Sequence, residues 1–230
     1  MINTSKTWHS PVNTYWHIQK LIKKIGYDVV DKKTEYQNVR EANVGFVMAS
    51  ILFQRTGEPT YLQLYKPDPP DVILMQPFIE PKGTNLLYLV EITSYIGEPK
   101  ESLLEQLKRT KVKPNINTLS EEYILAVNIG IGLNVESEYK LIRDYLNKNE
   151  IPFPVWTIQE TQRRPDTIAR VVIINPKIKK INVNIGEAID LFKKSGKPDV
   201  LYSRRVSKPE LVRLEKSEKC HEAPWETIGK

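Results

Sequence analysis

The chain has 230 residues, of which 40% are hydrophobic and 27% are charged. This composition is typical of a globular protein and excludes collagen-like, disordered and low-complexity chains. The formal net charge is +6 and the sequence pI is about 9.2, a basic balance that favours a polyanionic partner such as nucleic acid. The length is compatible with one large domain or two small ones.

Hydropathy and cysteine content narrow the class of protein further. The sequence contains no run of about 18 apolar residues, and residues 1–8 lack the apolar stretch of a signal peptide. We therefore expect a soluble, cytoplasmic protein without a membrane partner. The single cysteine, Cys220, excludes an internal disulfide and a cysteine-based zinc site, and the three histidines are scattered. Any bound metal ion would need carboxylate ligands.

Two segments have apolar residues at helical spacing near the N-terminus. The pattern predicts an amphipathic helix at residues 14–25, ended by Gly26, and a longer helix at residues 38–55. Asn38 is the predicted cap of the second helix, and Gly57 follows its end. Further helices are predicted at residues 99–111, 136–149 and 186–194.

Between these helices the pattern changes to that of β-strands. Short β-branched or aromatic runs, separated by Pro and Gly, lie at residues 61–65, 71–75, 86–93, 123–129, 154–158 and 170–174. The alternation of strands and helices predicts an α/β protein with a mixed β-sheet flanked by helices. The stretch 151–154 is the candidate boundary between a core of residues 1–150 and a C-terminal extension of residues 151–230, with a single domain as the alternative.

Two carboxylates are placed symmetrically about a predicted turn. Asp71 and Glu91 each lie ten residues from Pro81, so a hairpin centred there would bring them directly opposite each other. Such cross-strand neighbours have Cβ atoms about 4.5–5.5 Å apart. Two carboxylates at this distance repel unless one is protonated or a cation lies between them. Mg²⁺ or Mn²⁺ is the cation that suits these hard oxygen ligands.

Glu41 is a candidate for a third carboxylate ligand. In the predicted helix it shares a face with apolar or small residues, namely Val44, Gly45, Met48 and Leu52. An unpaired charge buried on such a face is costly, so a metal or another partner is expected there. The alternative is a glutamate at the helix start, favoured by the helix dipole, with its carboxylate in water.

The order of these residues resembles the PD-(D/E)XK nuclease superfamily, the fold of many restriction enzymes, resolvases and repair nucleases. Its members carry Glu on an early helix, Pro-Asp on one strand and Asp/Glu-x-Lys on the next. Pro70 and Asp71 match the first strand motif, and Glu91 matches the acidic position of the second. Ile92 matches the position whose backbone carbonyl commonly joins the metal shell. The resemblance covers residues 38 to about 129 and implies a restriction-endonuclease-like core.

One position departs from the superfamily pattern. Thr93 stands where the usual catalytic lysine is expected. In this superfamily the lysine can come from the following helix, and some viral cap-snatching endonucleases combine a Glu-x-Thr strand with such a lysine. The resemblance then implies Lys108 as the catalytic lysine, with Lys100 and Lys111 behind it. A solvated basic helix face is the alternative.

Other polar residues have weaker parallels. Gln106 lies where several members carry a glutamine that helps to bind the substrate, and His17 is a candidate for the extra metal-binding histidine of the viral enzymes or for a structural role. The Gly-x-Gly at residues 130–132 lacks the rest of a dinucleotide motif and predicts a turn. Candidate nucleic-acid contacts are Gln106, Arg109, Lys111, Arg163 and Arg164, with dispersed solubilising charge as the alternative.

Taken together, these patterns predict an endonuclease that hydrolyses phosphodiester bonds with Mg²⁺ or Mn²⁺. The metal ligands would be Asp71, Glu91, Glu41 and the carbonyl of Ile92, and Lys108 would orient water or stabilise the transition state. DNA is the favoured substrate, and an RNA endonuclease of cap-snatching type is the alternative. A degenerate nuclease fold that binds nucleic acid or a partner complex without cutting, a purely structural α/β protein, and a homodimer or larger complex all stay open.

Overall fold

The computed structural model describes residues 7–65, 70–79, 84–97, 101–112, 123–160, 168–205, 212–216 and 224–226. The chain divides into two compact units. The first unit combines Met1–Leu87 with Glu187–Lys230, and the second unit is Tyr88–Gly186. The predicted α/β class, with a mixed sheet and flanking helices, is confirmed.

The N-terminal part of the first unit alternates a short strand, helices and two longer strands. In chain order the elements are β1 (Thr7–His9), α1 (Pro11–Ile25), α2 (Tyr27–Lys32), α3 (Gln37–Thr56), β2 (Tyr61–Leu64) and β3 (Val72–Ile79).

The second unit contains strands joined by helices. Its elements are β4 (Thr84–Tyr95, which begins in the first unit), α4 (Leu103–Leu107), β5 (Tyr123–Ile129), α5 (Glu138–Lys148), β6 (Val155–Glu160), β7 (Ile168–Ile173) and β8 (Lys179–Asn184).

The chain then returns to the first unit through α6 (Ile185–Lys194), β9 (Val200–Arg205) and β10 (Val212–Lys216). In this unit the strand order is β10-β9-β1-β2-β3, and its described pairs are antiparallel. The ring of Phe192 on α6 packs against Phe53 and Tyr61, with ring centroids 5.5 Å and 5.9 Å apart. Helix α6 is therefore fixed to the N-terminal part of the first unit by aromatic contacts.

Local signals explain where the first helices begin and end. The Ser10 hydroxyl accepts a hydrogen bond from the Asn13 N–H at 3.0 Å, which caps α1. The predicted cap of α3 is wrong, because the helix begins at Gln37 and its N-cap, Tyr36, makes no side-chain cap hydrogen bond. Its predicted end is confirmed, since Gly57 adopts the left-handed conformation with a φ of 72°.

The second unit has the mixed sheet. Its strand order is β4-β5-β6-β7-β8, with parallel pairs between β4, β5 and β6 and antiparallel pairs between β6, β7 and β8. The boundary predicted at residues 151–154 falls inside this unit, because β6 pairs directly with β5. Residues 151–186 therefore belong with residues 88–150.

Apolar residues fill both units. α3 is buried along most of its length, and β5 and β6 are almost continuously buried, as their apolar runs predict. Among the described residues, no helix combines the length and apolar character needed to cross a membrane.

A histidine is completely buried where β1 meets α1. His9 has no exposed surface, and the Asn13 side-chain amide donates to its Nδ1 at 2.7 Å. No hydrogen-bond partner of its Nε2 occurs in the described part of the chain. Burial, with a smaller contribution from His17, lowers the pKa of His9 to about 3. His9 is therefore neutral in the folded protein throughout the physiological range.

Because the pKa of His9 is depressed on folding, stability should depend on pH. The unfolded chain binds a proton at His9 below about pH 6.5, whereas the folded chain does not until about pH 3. The free energy of unfolding should therefore decrease below pH 6.5 by about 1.4 kcal/mol per pH unit. Urea unfolding of wild type and His9→Gln between about pH 7.5 and pH 5 measures this slope.

The substitution His9→Gln should remove most of the slope below pH 6.5, and His17→Gln should keep most of it. Equal slopes for wild type and His9→Gln would contradict the assignment.

Candidate active site

Strand β4 carries Glu91 onto the helix-covered face of the second unit. In the parallel ladder with β5, Glu91 lies opposite Leu125 and Thr93 lies opposite Val127. Because side chains alternate along a strand, Glu91 and Thr93 share the face of these two residues. That face packs against an apolar cluster from α4 and α5 that includes Leu103, Leu107, Tyr139 and Ile142. Glu91 is only 4% exposed, so its carboxylate is buried against an apolar layer.

Among the described residues, Lys111 supplies a cation that compensates this carboxylate. Its Nζ forms an ion pair with Oε1 of Glu91. The side chains of Lys111 and Glu91 are 20% and 5% exposed, so the pair is largely removed from water. A buried carboxylate and a buried ammonium are each costly alone, and their pairing removes most of that cost.

The segment that delivers Lys111 is capped at its start and tied to β4 by a side-chain hydrogen bond. α4 begins with a capping box, in which Ser102 and Glu105 each accept a backbone N–H of the other. The Gln106 side-chain amide donates to the carbonyl of Ser94 at 2.8 Å, which ties the helix to β4. After Leu107 the chain continues as a π-helical turn, Lys108–Val112, and Lys111 lies within this turn.

The sequence prediction for this helix is corrected in two respects. The helix begins at Leu103 rather than at residue 99, because Ser102 caps it. Among the described residues, the lysine paired with Glu91 is Lys111 rather than Lys108, whose Nζ lies 4.5 Å from the ring centroid of Tyr145 on α5. The other candidate, Lys100, lies outside the described residues. The prediction assumed regular α-helical geometry, and the wider π-helical turn rotates successive side chains differently.

Several residues predicted to contact nucleic acid have partners within the protein. The Arg109 guanidinium makes a bidentate pair with Glu101, at 2.9 Å and 2.7 Å, and its hydrogen bond lowers the pKa of the Glu101 carboxyl. Gln106 binds the carbonyl of Ser94, and Lys111 binds Glu91. Arg163 and Arg164 lie outside the described residues.

The other two candidate carboxylates belong to the first unit. Asp71 directly precedes β3 and is half-buried, and its main-chain carbonyl accepts the Tyr65 N–H at 2.9 Å. Glu41 is 7% exposed, and the Gln37 side-chain amide donates to its Oε1 at 2.7 Å. The alternative of a Glu41 carboxylate in water is therefore wrong.

A glycine brings the helix of Glu41 close to the strand that follows Asp71. A Cβ atom at Gly45 would lie 3.0 Å from Cγ1 of Val72, so a larger residue would push α3 away from β3. Gly45 lies one helical turn after Glu41, and Val72 is the residue after Asp71. The two elements that carry Glu41 and Asp71 are thus in close contact.

The predicted metal site has suitable donors, and its assembly stays a prediction. The predicted turn at Pro81 lies outside the described residues, and Asp71 and Glu91 belong to different units, so their opposition stays a prediction. Within the described ranges, no group of three or more His, Cys, Asp or Glu side chains is close enough to hold one metal ion. The candidate carboxylates are hard oxygen donors of the kind that Mg²⁺ and Mn²⁺ prefer. Ile92 lies opposite Ala126 in the β4–β5 ladder.

The His17 ring makes a packing contact with an aromatic ring of the same unit. Its ring lies edge-on to that of Trp225, with centroids 6.3 Å apart, and both residues belong to the first unit. This contact favours the structural interpretation of His17.

A polar cavity of about 380 Å³ lies beyond the end of β5 and contains none of the predicted site residues. The Gly-x-Gly turn is confirmed, with a φ of 83° at Gly132. The Gln159 side-chain amide donates to the carbonyls of Gly130 and Leu133 at 3.1 Å and 2.7 Å. The lining residues are Leu133, Asn134, Val135, Glu136, Tyr139, Gln159 and Arg170.

Comparison of the chain with protein-family models, with curated proteins and with solved structures gave no match. The resemblance to the nuclease superfamily therefore depends on the motif residues and their order alone. The functional interpretation therefore depends on the chemistry of Glu91, Lys111 and their surroundings.

Removing the lysine from the buried pair should destabilise the second unit. Lys111→Met removes the ammonium that pairs with the buried Glu91 carboxylate, so the free energy of unfolding should fall by about 3–5 kcal/mol. Adding Glu91→Gln to this variant should recover much of the loss, because the side chain at position 91 is then neutral. Chemical denaturation of both single variants and the double variant measures the coupling.

The matched control is Lys108→Met, which removes a cation–π contact from the same helical segment. This change should cost about 0.5–1 kcal/mol. Equal losses in the Lys108 and Lys111 variants would show that the ion pair contributes nothing beyond ordinary packing.

Proposed function

We propose that the chain is a Mg²⁺- or Mn²⁺-dependent endonuclease whose active site is centred on Glu91 and Lys111. The observation that supports this most is the buried ion pair between the acidic residue of β4 and a lysine of the following helical segment. The superfamily resemblance implies a catalytic lysine beside this acidic residue. Thr93 occupies the position that usually carries this lysine, and threonine has no ammonium group. Lys111 supplies an ammonium from the helix instead.

The order of elements supports the same proposal. Glu41 lies on α3, Asp71 immediately before β3, Glu91 on β4 and Lys111 in the helical segment after it. This is the order of acidic helix, Pro-Asp strand, acidic strand and helical lysine that the resemblance implies. The resemblance implies Asp71, Glu91, Glu41 and the carbonyl of Ile92 as ligands of the metal ion. When bound, the ion would activate water and neutralise charge on the phosphate.

The residues of the chain have separate roles in this proposal. The burial of Glu91 keeps most water from its carboxylate and strengthens electrostatic interactions there. Lys111 keeps the carboxylate compensated and places an ammonium at the reacting phosphate, where it would donate to a non-bridging oxygen as negative charge develops. The π-helical turn positions Lys111, and such turns occur frequently at functional sites.

DNA is the favoured substrate, and RNA is the alternative because of the Glu-x-Thr sequence at residues 91–93. A second function is favoured by the same ion pair. Lys111 already satisfies one oxygen of Glu91, which is also the arrangement expected of a nuclease fold that binds nucleic acid or a partner complex without cutting. Cleavage assays separate the two functions.

The cleavage test compares two lysines of one helical segment. Lys111→Ala should lower the single-turnover cleavage rate by about 10²-fold or more, with substrate affinity changed only a few-fold, because the ammonium acts mainly in the transition state. Lys108→Ala should cut at close to the wild-type rate, since its ammonium lies over Tyr145. Single- and double-stranded DNA and RNA, each titrated with Mg²⁺ and Mn²⁺, serve as substrates.

Because Lys111→Ala also removes a stabilising pair, Lys111→Arg is measured beside it and each variant is first checked for a cooperative unfolding transition. A folded Lys111→Ala protein that cuts at the wild-type rate would contradict the proposed role. No cutting by wild type on any substrate would favour the non-cutting alternative.

Metal binding gives a test that does not depend on turnover. Mn²⁺ at 100 times its Kd should raise the free energy of unfolding of wild type by about 2.7 kcal/mol. Asp71→Asn should lose most of this increase, because it removes a proposed ligand. Asp144→Asn, which alters an exposed carboxylate on α5, should keep it. A stabilisation that is the same in all three proteins would exclude Asp71 as a ligand.

A further inference from the structure

The exposed face of α1 carries a large aromatic side chain. Trp16 is 62% exposed, whereas Trp8 and Trp156 are 1% and 6% exposed. Tryptophan is usually well buried, so an indole presented to solvent on a regular helix is unusual. The neighbours of Trp16 on this face show what it could bind.

Lysines continue the same face. Lys20, Lys23 and Lys24 lie four, seven and eight residues after Trp16 and are all exposed. At helical spacing these positions follow one another along one side of the helix. α1 contains no acidic residue. In the part of the chain that the structure describes, none of the three lysines forms an ion pair.

The helix dipole explains only part of this arrangement. Lys23 and Lys24 lie in the last turn, where cations are favoured. Lys20 lies before the last turn, and a neutral indole gains nothing from the dipole. The combination of Trp16 with the lysines therefore indicates a binding surface with an aromatic and a cationic part.

The apolar face of α1 is already used inside the first unit. Ile18 is 4% exposed and clusters with Val30 and Val39, and Leu21, Ile22 and Ile25 pack against that cluster. An interfacial membrane helix inserts its apolar face into the lipid, and this face of α1 is not available for insertion. The basic face with one indole favours a hydrated polyanion with planar groups instead.

We propose that the exposed face of α1 binds single-stranded nucleic acid, with Trp16 stacking on an unpaired base and Lys20, Lys23 and Lys24 contacting phosphates. Every base presents a π-face, so an exposed aromatic side chain binds single strands without a sequence preference. In a duplex the faces of the bases are covered by stacking and are closed to an indole on a helix surface. The net charge of +6 adds long-range attraction to any polyanion.

This inference adds a substrate class to the proposed nuclease and can fail separately from it. Binding is measured in EDTA, without cleavage and without the metal ligands. A protein that cuts but does not bind through Trp16 overturns only this inference, and a protein that binds through Trp16 but does not cut overturns only the nuclease.

The experiment uses the full chain and a labelled oligothymidylate, with affinity from fluorescence anisotropy and stacking from quenching of tryptophan emission. Trp16→Leu should weaken binding about tenfold and remove most of the quenching, because stacking contributes about 1–3 kcal/mol per base. Lys20→Gln with Lys24→Gln should reduce the slope of log affinity against log salt by about 0.7 per lysine.

The matched control is Lys193→Gln with Lys194→Gln, which removes two exposed lysines from the last turn of α6 in the same unit. This variant should retain the Trp16 quenching and bind more tightly than the Lys20 and Lys24 variant. Equal effects of the two double variants, or an unchanged affinity in Trp16→Leu, would overturn the proposal.

Two competitors test the class of ligand. A DNA duplex of equal length should compete at least several-fold less well than the single strand, and vesicles of phosphatidylcholine with phosphatidylserine should leave Trp16 emission unchanged. Equal competition by the duplex would overturn the stacking part. Quenching or a blue shift with the vesicles, without quenching by the oligonucleotide, would assign the surface to membranes instead.

Discussion

A carboxylate buried under helices requires a cation, and this requirement shapes the second unit after β4. Glu91 faces an apolar layer built by α4 and α5, where an uncompensated charge would oppose folding. The segment after β4 therefore has to place a basic side chain next to Glu91. The capping box at Ser102 sets the start of this segment, Gln106 ties it to β4, and the π-helical turn brings Lys111 to Glu91.

The same pair links folding to the proposed chemistry. An ammonium held at a buried carboxylate has little freedom, so it needs little further ordering when a phosphate arrives. A regular α-helix would present the lysines of this segment differently, and the structure places Lys108 over Tyr145 instead. Within one π-helical turn, Lys108 therefore packs on Tyr145, whereas Lys111 contacts Glu91 of β4.

Much of the fold could be predicted because its long elements have strong periodicity. The apolar run of β5 and the glycine end of α3 were sufficient to locate those elements. β1 has only three residues and β8 is a lysine-containing edge strand, so neither has a clear apolar pattern. The division into units was also missed, because strand pairing between distant segments leaves no local signal at residues 151–154.

The candidate site was predictable to a lesser degree. The acidic position of Glu91 and the need for a helical lysine followed from the motif order and from Thr93. The choice between Lys108 and Lys111 depended on the helical period, and sequence gives no sign of the π-helical turn. The sequence also left two alternatives for Glu41, a buried or a solvated carboxylate. Its hydrogen-bond partner, Gln37, precedes the predicted start of the helix, so this contact was not expected.

The pairing of β1 with β9 also affects how the protein can fold during synthesis. Thr7 is aligned with Tyr202, and the Ser10 hydroxyl donates to the Asp199 carboxylate at 2.9 Å across 189 positions of sequence. The N-terminal strand therefore leaves the ribosome long before its partner exists. The contiguous second unit can fold in the interval, whereas the first unit has to wait for its last strands. During this wait the exposed edge of β1 would be open to pairing with other chains.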